Sequence, residues 1–172
     1  VNPKYKKVRG KPCYASIEDI PDTIDFVVIA TPASTIPAII TQCGEAGVKG
    51  ALVVSGGFSA SGRKGVRLEK DMFDKARHYG LHIIGPDSMG LMRPAQGVNA
   101  TYSLNTAIPG NLALVSQSNA LCSAMLDWAA QRNIGFSTVV SVGGAGSVDF
   151  GDVLDFLALD RRTDSILLYV ED

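Results

Sequence analysis

Short runs of apolar, β-branched residues alternate along this chain with longer stretches whose apolar residues recur every three or four positions, and that alternation leaves few architectures open. Phe26–Ala30 (FVVIA) and Ala51–Val54 (ALVV) read as parallel strands covered on both faces. Between them Ser34 is placed to cap a helix carrying Ile36, Ile39, Ile40 and Cys43 on one side, with Gly44 or Gly47 to end it. A second helix, from about Arg63 to Tyr79, aligns Leu68, Met72, Ala76 and Tyr79 on one face and stops at Gly80. A strand at His82–Ile84 follows. A loop beginning Gly85-Pro86-Asp87-Ser88 is expected to run to Gly110, where the pattern restarts: strand Leu112–Val115, helix Asn119–Arg132, strand Ser137–Val142, helix Gly151–Ala158, strand Ile166–Val170. The chain is therefore divided near Pro109, into residues 1–109 and 110–172. Strands and amphipathic helices in this order predict an α/β fold with right-handed crossovers and ligand sites at the C-terminal ends of the strands.

Composition narrows what such a fold can do. Hydrophobic residues make up 46% of the 172 and charged residues 19%, which excludes a disordered chain or a coiled coil. Sixteen Lys+Arg against seventeen Asp+Glu give a net charge of −1, so no global positive field exists and no nucleic-acid partner is expected. The stretch Pro94–Met125 is uncharged, but its Gln, Asn, Ser, Thr and Pro content makes a bilayer span too costly, and no membrane segment is expected. Cys13, Cys43 and Cys122 have neither metal-ligand nor disulfide-framework spacing; no metal site is expected, and a reducing cytoplasm fits. The chain opens on Val1 in mid-pattern and closes on an apolar run, which reads as a piece of something longer, incomplete at both ends.

The strongest local signal is Val115-Ser116-Gln117-Ser118-Asn119 at a strand end, followed at once by a helix with Leu121, Ala124, Met125, Trp128 and Ala129 at helical spacing. Backbone N–H groups of the first turn, with the Ser116 and Ser118 hydroxyls, could hold a phosphate; ordinary capping by Ser118 or Asn119 explains the same residues. Ser55-Gly56-Gly57 occupies the corresponding place after ALVV, where missing side chains admit a ligand to the main chain, or form a plain turn. Thr31-Pro32-Ala33 after FVVIA is either a similar approach or a helix lead-in. The run Gly143-Gly144-Ala145-Gly146 lacks the third glycine of a dinucleotide fingerprint. Lys4, Lys6, Lys7, Arg9 and Lys11 form a basic cluster, solvated or facing a polyanion. His78 and His82 read as structural, Trp128 and the methionines as core, and Glu171 as a carboxylate at a strand end or on the surface.

The ordered set VNPKY, FVVIATPAS, ALVVSGGFSASG, IIGPDSMGLM, GVNATYS, GNLALVSQSNALCSAMLDWA, IGFSTVVSVGG and SILLYVED resembles the NDP-forming acyl-CoA synthetases, which share the CoA-binding and first ligase domains of the succinyl-CoA synthetase α subunit. The resemblance covers nearly the whole chain; IIGP followed by SQS at a helix head is its most distinctive pair. It implies a Rossmann-like CoA-binding domain, N-terminally incomplete, followed by a flavodoxin-like parallel-sheet ligase domain, C-terminally incomplete. It further implies CoA or acyl-CoA contacts at Pro3, Lys4, Thr31, Pro32, Ala33, Ser55, Gly56 and Gly57, phosphate contacts at Ser116, Gln117 and Ser118, and a catalytic carboxylate, Glu171, that steadies a phosphohistidine. The implied reaction is acyl-CoA + ADP + phosphate ⇌ acid + CoA + ATP, with a small carboxylic acid, an ATP-grasp domain or subunit handling ATP/ADP, and an oligomeric assembly. This segment alone is not expected to complete it. Two departures stand out: Asp87-Ser88 replaces the usual Asn-Cys or Asn-Ser after IIGP, putting a negative charge near the expected thioester site, and Asn119 replaces the glycine of SQSG. The stretches LDWAAQRNIGFS and DVLDFLALDRRTDSILLY also resemble a related group, bacterial lysine acetyltransferases whose synthetase-like half senses acyl-CoA without catalysis.

Overall fold

The structure, a computed structural model, describes residues 1–144 and 146–171; Ala145 of the glycine run and Asp172 at the end of SILLYVED lie outside the described residues. A small antiparallel pair, β1 (Lys7–Val8) and β2 (Lys11–Pro12), comes first. Then β3 (Phe26–Ile29), α1 (Ile36–Glu45), β4 (Gly50–Val53), α2 (Gly62–Tyr79) and β5 (His82–Ile84) alternate, and the three strands pair in parallel in the order β3-β4-β5. Both helices lie on one face of that sheet. Ile36, Ile40 and Cys43 of α1 and Met72 and Ala76 of α2 join Ile29, Ala51, Val53 and Ile83 in one buried cluster. Burial of such side chains is worth roughly 1.5–3 kcal/mol each, which is what fixes the helices to the strands.

The chain continues through β6 (Gly90–Arg93), β7 (Val98–Thr101), β8 (Pro109–Ser116), α3 (Asn119–Ala130), β9 (Phe136–Ser141), α4 (Phe150–Leu159) and β10 (Ser165–Tyr169). A second, five-stranded sheet has the order β10-β8-β9-β6-β7, with β10, β8 and β9 parallel. Its two faces are covered by different helices. Cys122, Leu126 and Ala129 of α3 pack with Leu114, Phe136 and Val139 on one side, and Val153 and Leu157 of α4 pack with Ala113, Val115 and Val140 on the other. Ile84, from the first sheet, packs against this second cluster.

Several sequence expectations are corrected. The stretch after Gly85, expected to be a loop as far as Gly110, contains the β6–β7 hairpin, and β6 pairs antiparallel with β9, so residues before Pro109 complete the sheet that follows it. Ser34 caps nothing: it sits in a 3-10 turn, Ala33–Thr35, and α1 begins after Thr35 without a side-chain cap. β3 is covered on one face only, because it is an edge strand with both helices on the same side; Val28 is 51% exposed on the other. Trp128 is 43% exposed, with the Arg132 guanidinium 4.6 Å from its ring centroid, whereas Met72, Met89 and Met92 are fully buried. The cap on α4 is Asp149, which accepts from Asp152 N at 3.1 Å while Asp152 accepts from Asp149 N at 3.0 Å. The Gly80 stop to α2 holds, with Gly80 in the left-handed region at φ 64°.

Candidate functional site

Parallel strands deliver their following loops to one edge of a sheet. Thr31–Ala33, Ser55–Gly57 and Gly85–Ser88 therefore leave β3, β4 and β5 at the same edge, and Gln117, Val142–Gly144 and Glu171 leave β8, β9 and β10 at the corresponding edge of the other. The two edges meet at Pro86–Met89. Asp87 N–H donates to Ser55 O at 3.1 Å, Gly144 N–H donates to Pro86 O at 2.9 Å, and Ser88 Oγ, fully buried, donates to Ser141 O at 2.5 Å. Gly143 is required here: its φ is +59°, and a Cβ at that position would overlap the Pro86 carbonyl oxygen.

Asn119 completes the joint. Its Nδ2 donates to Asp87 O at 2.9 Å, and its Oδ1 accepts from Met89 N at 2.7 Å and from Ser141 Oγ at 2.6 Å. The first residue of α3 thus holds the loop after β5 and the end of β9 through one side-chain amide. In the sequence Asn119 is simply a bulkier substitute for glycine; nothing there announces the three partners, because all of them are remote along the chain.

The turn before α3 is tied internally. Ser116, with no exposed surface, donates from Oγ to Ser118 O and accepts from Ser118 N at 2.9 Å; Ser118 Oγ accepts from Leu121 N at 3.4 Å as the helix cap. Burial and its own turn thus occupy the Ser116 hydroxyl. The N–H groups of Asn119 and Ala120, at the start of α3, have no partner among the described residues, and they are the donors such a turn offers to an anion. Gln117 bridges to the last strand, its N–H donating to Tyr169 O at 3.2 Å and its Oε1 accepting from Glu171 N–H at 2.7 Å. Glu171 and Asp87 accordingly flank the turn from opposite sides.

On the first sheet, Gly56 lies beneath the Asp87 side chain: a Cβ there would stand 3.2 Å from Asp87 Oδ1. The missing side chain leaves room for that carboxylate. Thr31 accepts from Thr35 Oγ1 at 2.9 Å, Pro32 precedes the 3-10 turn, and Ala33 packs on the core, so all three keep the lead-in role as well as their place at the edge. Pro3 and Lys4 are exposed in the turn ahead of β1, where Lys4 N–H donates to Asn2 Oδ1 at 2.9 Å; no contact among the described residues brings them to the other candidates. His82 opens β5 and therefore stands at the opposite end of the strands, and His78 is exposed on α2. No group of His, Cys, Asp and Glu among the described residues is arranged to hold a metal ion, and no helix is long and apolar enough to cross a membrane. Cys13, Cys43 and Cys122 are free thiols, and burial pushes those of Cys43 and Cys122 up to about 11. The Tyr102 hydroxyl is raised by burial first, then by the charges of Asp87 and Cys122.

Comparison with known proteins matches residues 1–94 to the CoA binding domain and residues 109–172 to the succinyl-CoA ligase like flavodoxin domain. The chain is 40% identical over 171 residues to an ADP-forming acetate–CoA ligase I of Archaeoglobus fulgidus, covering 99% of this chain and 25% of that protein. It is 40% identical over 158 residues to the α subunit of an ADP-forming acetate–CoA ligase I of Pyrococcus furiosus, covering 92% of this chain and 34% of that one. The structure of dinucleotide forming acetyl-coenzyme A synthetase 1 of Ca. Korarchaeum cryptofilum, in complex with phosphate and ADP, superimposes with a TM-score of 0.94 at 36% identity, over 100% of this chain and 37% of that one. The chain thus spans between a quarter and two-fifths of the length of these relatives.

Proposed function

Since the chain belongs to the family of CoA-binding domains joined to a succinyl-CoA ligase-like flavodoxin domain, the arrangement of the NDP-forming acyl-CoA synthetases, we propose that it supplies the CoA-binding and phosphate-binding part of an acid–CoA ligase. The whole protein would convert acyl-CoA, ADP and phosphate into acid, CoA and ATP. The observation that carries this reading is the single loop, Pro86–Met89, hydrogen-bonded to Ser55 on the glycine-loop side and to Asn119 on the helix-start side. An acyl group passing from a thioester sulfur to a phosphate oxygen has to cross between those two sides.

On this reading Thr31–Ala33 and Ser55–Gly57 border the nucleotide and pantetheine of CoA, and Pro3 and Lys4 approach its phosphates from the basic N-terminal turn. The N–H groups of Asn119 and Ala120, reinforced by the positive end of α3, hold the phosphate that attacks the thioester carbonyl. Ser116 and Ser118 shape that turn, and Gln117 fixes Glu171 beside it, where its carboxylate can steady a phosphohistidine. Neither histidine of this chain stands at the strand-end edge, so that histidine and the ATP-grasp domain or subunit that phosphorylates it are contributed from elsewhere. A small carboxylic acid as substrate, an oligomeric assembly and a reducing, cytoplasmic setting complete the reading; the free, buried thiols of Cys43 and Cys122 support the last.

A second reading, an acyl-CoA sensor attached to a lysine acetyltransferase domain, is favoured by the amide of Asn119, which takes the place of a glycine in the phosphate-binding turn, and by the charge of Asp87 over Gly56 on the glycine-loop side. Full-length protein incubated with labelled ATP separates the two. Acid-labile phosphohistidine that is discharged by ADP supports the ligase; no label, with CoA still bound, supports the sensor. Absence of CoA binding would refute both.

A further inference from the structure

Asp87 is the only charged residue within the four segments that meet at the joint, residues 55–57, 86–89, 116–119 and 142–144. Its carboxylate makes no ion pair and accepts no hydrogen bond among the described residues. The backbone of the same residue explains where that charge is aimed. Asp87 adopts φ 57°, its carbonyl is turned to Asn119 on the phosphate side, and its side chain lies over Gly56 on the other, with Oδ1 3.2 Å from where a Cβ on that glycine would stand. The negative charge is therefore presented to whatever runs along Ser55–Gly57, while the Asn119 and Ala120 N–H groups are reached from across the residue.

Resting on the acid–CoA ligase reading, we propose that Asp87 is the residue that sets acyl specificity. Its unpaired carboxylate over Gly56 excludes acids that carry a second negative charge close to the reacting carboxyl, and leaves monocarboxylic acids with neutral chains as the substrate class. A thioester carbonyl is neutral, so an acyl group with no further charge meets no repulsion there. A dicarboxylic acid, once esterified to the CoA sulfur, keeps one carboxylate within a few ångströms of the thioester and brings it against Asp87. Neighbouring side chains cannot neutralise the pair: Tyr102, Ser55 and Asn119 carry no positive charge. Glu171, the other carboxylate at this edge, lies on the far side of the turn, tied through its N–H to Gln117, and adds no cation either.

The test is calorimetric titration of the full-length protein with CoA, acetyl-CoA, butyryl-CoA and malonyl-CoA, the last two being of similar size and differing in charge. Malonyl-CoA is expected to bind about tenfold more weakly than butyryl-CoA, the factor that Coulomb's law gives for unit charges about 6 Å apart at an effective dielectric of about 40. Raising the salt concentration should shrink the gap, since the pair is at an exposed edge. In Asp87→Asn, which preserves the hydrogen-bonding backbone and tolerates positive φ, malonyl-CoA should recover to within about twofold of butyryl-CoA. A gap that persists in Asp87→Asn, or equal affinities in the unmodified protein, would overturn the assignment while leaving the ligase reading intact. Failure to bind any of the four would instead overturn that reading.

Discussion

Removing the Asn119 amide tests whether the two edges are held by the bonds described. Asn119→Ala deletes three hydrogen bonds, to Asp87 O, Met89 N and Ser141 Oγ. Net values of about 1 kcal/mol per bond give a loss near 3 kcal/mol, and the fully buried Met89, whose amide is left without its partner, keeps the figure from falling far below 2. If the loss is felt in the local opening of the loop, Met89 amide exchange should accelerate by about 30-fold for each ~2 kcal/mol. Asn119→Asp sharpens the measurement. It keeps an acceptor for Met89 N and Ser141 Oγ but cannot donate to Asp87 O, so Met89 should stay largely protected while the protein is destabilised by about 1–2 kcal/mol. Native-state hydrogen exchange read by mass spectrometry, with urea denaturation alongside, supplies both numbers. Met89 exchange within threefold of the unmodified protein in Asn119→Ala would refute the idea that this side chain joins the edges.

Other consequences are simpler to state. Ser118→Ala removes the acceptor for Leu121 N and should cost about 1 kcal/mol in urea denaturation, with Ser118→Asp close to neutral because aspartate caps as well. Arg93, on β6, forms an ion pair with Asp160 after α4 and stacks over Phe156 at 4.8 Å; both charged side chains are mostly buried, so Arg93→Ala should lose roughly 2–4 kcal/mol, seen as a lowered urea midpoint with unchanged slope. The Cys43 and Cys122 thiols are raised by burial from the ordinary 9.0 to about 11. Because the folded pKa exceeds the unfolded one, this stabilisation is complete below pH 9 and is lost as pH climbs towards 11, so stability should decline across that window and the decline should lessen in Cys43→Ser/Cys122→Ser. Iodoacetamide at pH 8 should label Cys13 well ahead of both.

The alternation of strands and helices was legible because each element answers to a local rule. Gly80 must end α2, and FVVIA and ALVV read as strands from their β-branched runs, which the structure forms at Phe26–Ile29 and Gly50–Val53. What escaped depends on partners distant in sequence. The β6–β7 hairpin, GLMR and VNAT, has little periodic signal of its own and exists because Leu91 and Met92 pair with Val140 and Val139, far along the chain. The outer face of β3 could not be foreseen as exposed, since an apolar run does not say whether a second layer covers it. At the site, the motif at Ser116–Asn119 was visible, but the occupation of the Ser116 hydroxyl by its own turn and the reach of Asn119 to Asp87, Met89 and Ser141 were not, for the three partners come from the loop after β5 and the end of β9.

Gly143 offers the last discrimination, between backbone strain and close approach. An alanine there is strained by φ +59°, at about 1–2 kcal/mol, and its Cβ would also overlap the Pro86 carbonyl oxygen. Gly97 has a similar φ, +68°, but nothing lies within 4 Å of its would-be Cβ. Gly97→Ala therefore isolates the strain, and the excess cost of Gly143→Ala measures how tightly the end of β9 is pressed against the loop after β5. We expect an excess of at least ~1 kcal/mol, because overpacking against rigid backbone costs about 1–3. Pro86–Asp87 would have to retreat, taking with it the Asp87 carbonyl that Asn119 holds, so CoA affinity should fall in Gly143→Ala and stay unchanged in Gly97→Ala. Equal destabilisation by the two substitutions, with equal CoA affinity, would mean that the two strand-end edges are merely adjacent and that ligand binding does not depend on the contact between them.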